Sequence, residues 1–331
     1  MGEAFRRVRC QRALGGLAGA RAGCGSGKLG VRGSDIPAGG PGHAERRALR
    51  CIRGQRHDSA RAGGCCAWVR GGEAGGGAPV ASVRGYDAAM SIIVFQHHDA
   101  ERLGRLGSAL RDHGHRLDIR RPDLDGVSAI PADLDNVRGV VSLGGPQNVG
   151  DADAWLSAES SFLRLAHEAE LPVVGICLGA QLLAHALGGT VTKMAHPEVG
   201  FLPVRVNAGP PQTEIMLAGV PWETPFFHLH AHEVGTVPPG AMVLQSSDAC
   251  KVQSFRAGIR SFGFQYHFEV DRPMISTFCD QFAETLGEAG MSCESIHAQA
   301  DEHYERMAVV GDRLCSNFVN FAFPFASLTR V

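Results

Sequence analysis

Long apolar runs are missing from this 331-residue chain, which excludes a helical membrane protein, since a span needs about 20 consecutive apolar residues. No segment repeats another, so solenoids and propellers are excluded as well. A Gly-x-x-x-x-Gly-Lys-Ser loop is also missing, and with it any nucleotide-binding half of that type. Excess charge of one sign is absent: 32 basic residues face 34 acidic ones, leaving −2. That balance gives no basic surface for nucleic acid or an anionic membrane, and neither is expected as a partner. Ten cysteines are present, yet no Cys-x-x-Cys pair. Neither a disulfide framework nor a zinc site is indicated, and a reduced, cytoplasmic protein is expected.

The charge average hides two unlike parts. Residues 1–89 hold 15 basic and 6 acidic residues, near +9, against near −11 for the remainder. They also hold about half of the 43 glycines, half of the cysteines (Cys10, Cys24, Cys51, Cys65 and Cys66) and no sustained period of 2 or 3.6. Such a composition cannot offset its ordering entropy by burial, so a disordered basic leader is expected. The apolar stretch at 14–20 is too short and glycine-rich for a secretory signal, and the amphipathicity of an organelle transit peptide is not evident. Met90 is followed at once by a strand-like Ser-Ile-Ile-Val-Phe. Translation starting at Met90 is one expectation, and a leader that is made but unfolded is the other. Residues 90–331 then form the folded domain.

Within that domain short apolar runs alternate with amphipathic stretches. Strands are expected at 91–95, 138–143 and 172–176, with helices at 100–113, 154–170 and 178–187 between and after them. Leu103, Leu106 and Leu110 share one helical face; Leu156, Phe162, Leu163 and Leu165 share another. The alternation predicts an α/β fold, a mostly parallel central sheet with helices on both faces. Shorter strands near 202–206, 226–229, 242–245, 252–255 and 261–266 are expected to add a small antiparallel portion. Helices at 272–286 and 294–321 close the chain, the last packing Met307, Val310, Leu314, Phe318 and Phe321 into the core.

The densest chemical signal is Leu171-Pro-Val-Val-Gly-Ile-Cys-Leu-Gly-Ala-Gln181. A strand enters a Gly-x-Cys-x-Gly turn and leaves as a helix, which lifts the central side chain above the sheet, while the glycines allow backbones to approach. Cys177 also falls at a helix N-terminus, where the macrodipole favours a thiolate. Cys250, Cys279, Cys293 and Cys315 lack that setting and are expected as small core residues. In Gly263-Phe-Gln-Tyr-His-Phe-Glu269 a period of two puts His267 and Glu269 on one side, base and orienting carboxylate of a Cys-His-Glu triad. Ser142-Leu-Gly-Gly-Pro146 ends a buried strand in a turn suited to an oxyanion hole, with the N–H groups of Gly145 and Leu178 as donors. Of the other histidines, the alternating His228, His230 and His232 could face a zinc or copper ion together. No further ligand is evident in the sequence, so a rim of solvated histidines is the expectation and no metal is assigned.

These three motifs, in this order and spacing, resemble the class I glutamine amidotransferase family, in particular stand-alone proteins similar to the amidotransferase domain of GMP synthase. Softer matches are Phe95-Gln-His97, Pro197-Glu-Val-Gly200 and the stretch from His230 to Gly240. The resemblance implies a flavodoxin-like three-layer sandwich and release of ammonia from glutamine through a thioester on Cys177, with no cofactor. It further implies substrate contacts from Gly144 and Gln181, and from His232. Two positions depart from the family pattern. Phe268 stands where proline is usual, and Ala231-His232 where relatives of GMP synthase have Gly-Asp; His232 could hold a substrate amino group only as an acceptor. Glutamine or another γ-glutamyl compound is the implied ligand, and a synthetase partner receiving ammonia is implied as well. A γ-glutamyl peptide hydrolase working alone and a non-catalytic ligand-binding module are the competing readings.

Overall fold

The computed structural model describes residues 90–324; the leader expected at 1–89 lies outside them. Within these residues one nine-stranded sheet runs through the domain in the order β2-β1-β3-β4-β9-β8-β7-β5-β6. The strands are β1 (Ser91–Phe95), β2 (Leu117–Arg120), β3 (Val137–Ser142), β4 (Val173–Ile176), β5 (Thr190–Val206), β6 (Glu223–Thr236), β7 (Met242–Ser246), β8 (Ser254–Ala257) and β9 (Ser261–Phe264). β2, β1, β3, β4 and β9 pair in parallel. Counted as the fifth of these, β9 completes the order 2-1-3-4-5 of a flavodoxin-like sheet. The other half is antiparallel and larger than the sequence implied. Its main component is a long hairpin of β5 and β6, whose register slips between Lys193 and Glu198.

The parallel strands are short and apolar through their length, as strands covered on both faces must be. On one face α3 (Ala154–Glu168) and α4 (Leu178–Ala186) bury Phe162, Leu163, Leu182 and Leu183 against β1, β3 and β4. On the other, α1 (Gly104–Asp112), α5 (Arg272–Gln281) and α7 (Cys293–Asn317) bury Leu106, Phe278, Met307 and Leu314. Two short helices, α2 (Pro122–Asp125) and α6 (Ala283–Glu288), sit in connections.

Several expectations need amendment. Leu165 is 41% exposed and Phe321 46% exposed, so neither joins its apolar stripe in the core. The helix expected over 272–286 breaks at Phe282, whose backbone leaves the helical region (φ −116°, ψ 30°). The Phe282 ring turns instead towards His98, 5.1 Å away. The last helix ends at Asn317 and continues as a π turn, Phe318–Ala322. Among the described residues no helix is long and apolar enough to cross a membrane.

Candidate active site

The carboxyl ends of β1, β3, β4 and β9 meet at one crevice, the position at which open α/β sheets bind ligands. β4 delivers Cys177, which caps α4 with φ 51° and ψ −110°. Non-glycine residues avoid that region at a cost of about 1–3 kcal/mol, and the surroundings hold this one there. The Cys177 N–H donates to the Phe264 carbonyl at 2.8 Å, and the Gly179 N–H to Leu143 at 3.0 Å. A Cβ on Gly175 would strike the Gly179 backbone, and one on Gly179 would strike Ser142. Both glycines of the motif are thus required by close backbone approach.

Past the end of β9 the chain crosses to β6, where the His267 N–H donates to the Phe227 carbonyl at 2.8 Å. His267 and Glu269 are fully buried, and the His267 Nδ1–H donates to Glu269 Oε1 at 2.7 Å. Phe268 faces the other way, its ring 5.1 Å from Phe264 and 5.7 Å from Phe318. The position where proline is usual therefore serves as a core anchor that fixes its two neighbours. Burial alone would disfavour the His267 imidazolium. The charges of Glu269 and Glu101 and contact with Cys177 and Glu269 outweigh it, so its pKa stands well above the usual histidine value. The His267 Nε2 and the second Glu269 oxygen, Oε2, are buried with no hydrogen bond. Unspent buried polar atoms of this kind mark a site that awaits a ligand.

A cavity of about 230 Å³ opens over the thiol, walled by Gly145, Cys177, Leu178, Gln181, Lys193 and His232 among others. Among the described residues neither the Gly145 nor the Leu178 N–H is engaged in a backbone hydrogen bond. Gln181 donates its amide to the His232 carbonyl at 3.0 Å and to Gln265 at 3.2 Å. It thereby ties the helix after Cys177 to the β6 hairpin. His232 pairs with Lys193 across the hairpin, and burial together with the Lys193 charge pushes its pKa down. Its ring is therefore neutral at physiological pH, able to accept a hydrogen bond. Gly144 lies outside the cavity wall; its carbonyl accepts from His97, and a Cβ there would meet the Glu101 carboxyl.

Two buried groups at this crevice were not singled out by sequence. His97 donates through Nδ1 to the carbonyls of Leu143 and Gly144, both at 3.1 Å, and through Nε2 to Glu159 at 2.8 Å. Burial opposes its charge, but Glu159 prevails and raises the pKa. Ser142 Oγ donates to the same Glu159 at 2.6 Å, so this pair braces the Gly144–Gly145 turn. Glu101 lies 3.9 Å from His267 Nδ1; burial and the Glu269 charge push its carboxyl up, against the pull of His267 and His97. Phe95-Gln-His97 and its sequel carried the only signal, an unusual density of polar residues directly after a buried strand. The remaining described cysteines behave as expected of core thiols: burial raises the pKa of Cys250 and Cys315, and that of Cys279 to about 12.

The Glutamine amidotransferase class-I family model matches residues 103–276. The chain belongs to the class I glutamine amidotransferase family. It is 31% identical over 196 residues to the separately encoded glutamine-hydrolyzing component of GMP synthase from Methanococcus maripaludis, covering 57% of this chain and 95% of that protein. Against GMP synthase (glutamine-hydrolyzing) of Leifsonia xyli it is 37% identical over 134 residues, 40% of this chain but 26% of the relative. The chain thus spans about a quarter of the length of such full GMP synthases. A glutamine amidotransferase from Methylobacillus flagellatus superposes with a TM-score of 0.63 at 26% identity, over 70% of this chain and 94% of that one. This amidotransferase domain is therefore homologous to the glutamine-hydrolyzing component of GMP synthase.

Proposed function

We propose that this amidotransferase domain hydrolyses a γ-glutamyl amide, glutamine first among them, through a thioester on Cys177. The observation that carries the reading is the strained Cys177 backbone (φ 51°) beside a buried His267 whose Nδ1 is held by Glu269 and whose Nε2 is unspent. Cys177 Sγ attacks the carboxamide carbon, and the charge that develops on oxygen is met by the N–H groups of Gly145 and Leu178. His267 gives a proton to the departing nitrogen, and the C–N bond breaks to release ammonia. Water, deprotonated by His267, then cleaves the thioester to glutamate and restores the thiol. Gln181 shapes the pocket by holding the His232 carbonyl, and His232 accepts from the substrate amino group.

The relatives named as glutamine-hydrolyzing components of GMP synthase support a separate synthetase as recipient of the ammonia. A second reading, a self-sufficient γ-glutamyl peptide hydrolase, draws on Lys193 beside a neutral His232 on the cavity wall. A cation there suits a substrate with a further carboxylate. A thiol nucleophile has to stay reduced, which places the reaction in the cytoplasm.

The test is glutamate release by the purified chain from glutamine and from γ-glutamyl dipeptides, beside Cys177→Ala. Turnover lost by about 10⁴-fold in the variant is expected. The substrate with the highest kcat/KM chooses between the two readings. Equal rates in wild type and variant, or no labelling of Cys177 by a γ-glutamyl electrophile in folded protein, would overturn both.

A further inference from the structure

Beside the thiol site, but separate from it, the β5–β6 hairpin buries three side chains that converge on one point. Glu198 of β5 stands opposite His230 of β6, and His228 lies two residues earlier on the same strand. All three are at least nine-tenths buried; the expectation of solvated histidines fails for His228 and His230. His230 Nε2 is 3.1 Å from Glu198 Oε2, and His228 Nδ1 is 3.7 Å from the same oxygen. The two ring nitrogens are 3.3 Å apart.

The other nitrogen of His230 decides what its Nε2 is. His230 Nδ1 lies 3.1 Å from the His232 carbonyl, which can only accept, so Nδ1 carries the hydrogen. In a neutral ring Nε2 is then a bare lone pair, aimed at a carboxylate oxygen. Two acceptors at hydrogen-bond distance in a buried place require a cation between them. Three bonds of ~2.0–2.1 Å at tetrahedral angles set donor atoms about 3.3 Å apart, and the three separations here bracket that value.

The surroundings match those of a metal site as well. A metal-bound histidine usually donates its other N–H to a backbone carbonyl, and a metal-bound carboxylate is itself hydrogen-bonded. His230 meets the first condition. Glu198 meets the second, accepting from Ser247 Oγ at 2.8 Å on Oε1 and from Gln253 Nε2 at 2.6 Å on Oε2.

We propose that Glu198, His228 and His230 form a binding site for a divalent transition metal of zinc type, with a fourth position for water. Two imidazoles and one carboxylate favour zinc over magnesium or calcium. The site would clamp the two strands beside the register slip, close to Leu229, whose carbonyl is 3.9 Å from Cys177 Sγ. His232 is not a ligand: its carbonyl serves His230. The role is structural, and metal content reads it independently of turnover.

The experiment uses the full chain carrying Cys177→Ala, so that the catalytic thiol cannot bind the metal. The protein is loaded with zinc, freed of loose metal on a sizing column and measured by plasma mass spectrometry. About one zinc per chain is expected, with a melting temperature above that of the chelator-treated sample. Adding His228→Gln or Glu198→Gln is expected to cut retention to about a tenth or less. Cobalt in place of zinc would show the intense visible bands of a tetrahedral site even if those variants failed to fold. Folded protein that retains no zinc and melts at the same temperature with or without it would overturn the proposal. A protonated His230 paired with Glu198 would then hold the strands. Full retention in either folded variant would overturn it equally.

Discussion

At the scale of single residues the elbow is governed by what has no side chain. Gly179 sits where a Cβ would run into the Ser142 carbonyl and hydroxyl, so Gly179→Ala has to push β3 away from α4. A loss of about 1–3 kcal/mol in urea unfolding is expected, together with a fall in kcat as Cys177 moves relative to the Gly145 N–H. His267 carries a second prediction. Its folded pKa is above its unfolded value of 6.5, through Glu269, Glu101 and Cys177 acting against burial. A group of this sign binds its proton more tightly when folded, so its contribution is complete below the unfolded pKa and is lost as pH rises through the folded one. The stability gap between wild type and His267→Gln should therefore be widest near about pH 6 and narrow towards about pH 9. Unfolding curves at the two pH values check it, and a gap that widened with pH would refute the sign. Cys177, His267 and Glu269 were legible because residue type and local spacing carry the chemistry. Glu101 was not, because its importance comes from a contact across most of the domain, with His267.

Elements tell a similar story about which signals survive in sequence. The parallel strands were legible, since continuous apolar runs leave few other readings. β2 (Leu-Asp-Ile-Arg) escaped notice because an edge strand has one partner, and its Ile119 is 45% exposed. Residues 190–197 of β5 also escaped: they are mostly exposed or half-buried, and a hairpin arm standing away from the core needs no apolar face. The brace between β1 and α3 was equally hidden, because His97 and Glu159 lie 62 residues apart. That pair is fully buried, so removing one partner strands a charge. His97→Ala is expected to cost about 3–5 kcal/mol. Replacing both, as His97→Leu with Glu159→Leu, should cost less than the two single losses added together, because the uncompensated charge is gone. A double-mutant cycle in urea measures this coupling, and strict additivity would mean that the pair is not the brace described.

For the whole molecule, catalysis and core are joined through the short segment after β9. His267 and Glu269 face the crevice, while Phe268 between them is inserted in the opposite layer, against Phe318 at the end of α7. Phe318 in turn packs edge-on to Phe262 and Phe264, at 5.7 and 5.6 Å. The C-terminal helix, the last part of the domain to be formed in sequence, therefore sets the floor under its catalytic base. Phe318→Ala should destabilise the fold by about 3–5 kcal/mol, as truncation of a fully buried phenylalanine does. It should also lower kcat more than it raises KM, since the loosened segment carries His267 and Glu269 but no group on the cavity wall. Phe318→Leu, which keeps most of the volume, should restore the larger part of both. Steady-state kinetics of the two variants, at a temperature where each is fully folded, separate the effects. A Phe318→Ala protein with unchanged kcat would show that His267 is positioned by Glu269 and the Phe227 carbonyl alone.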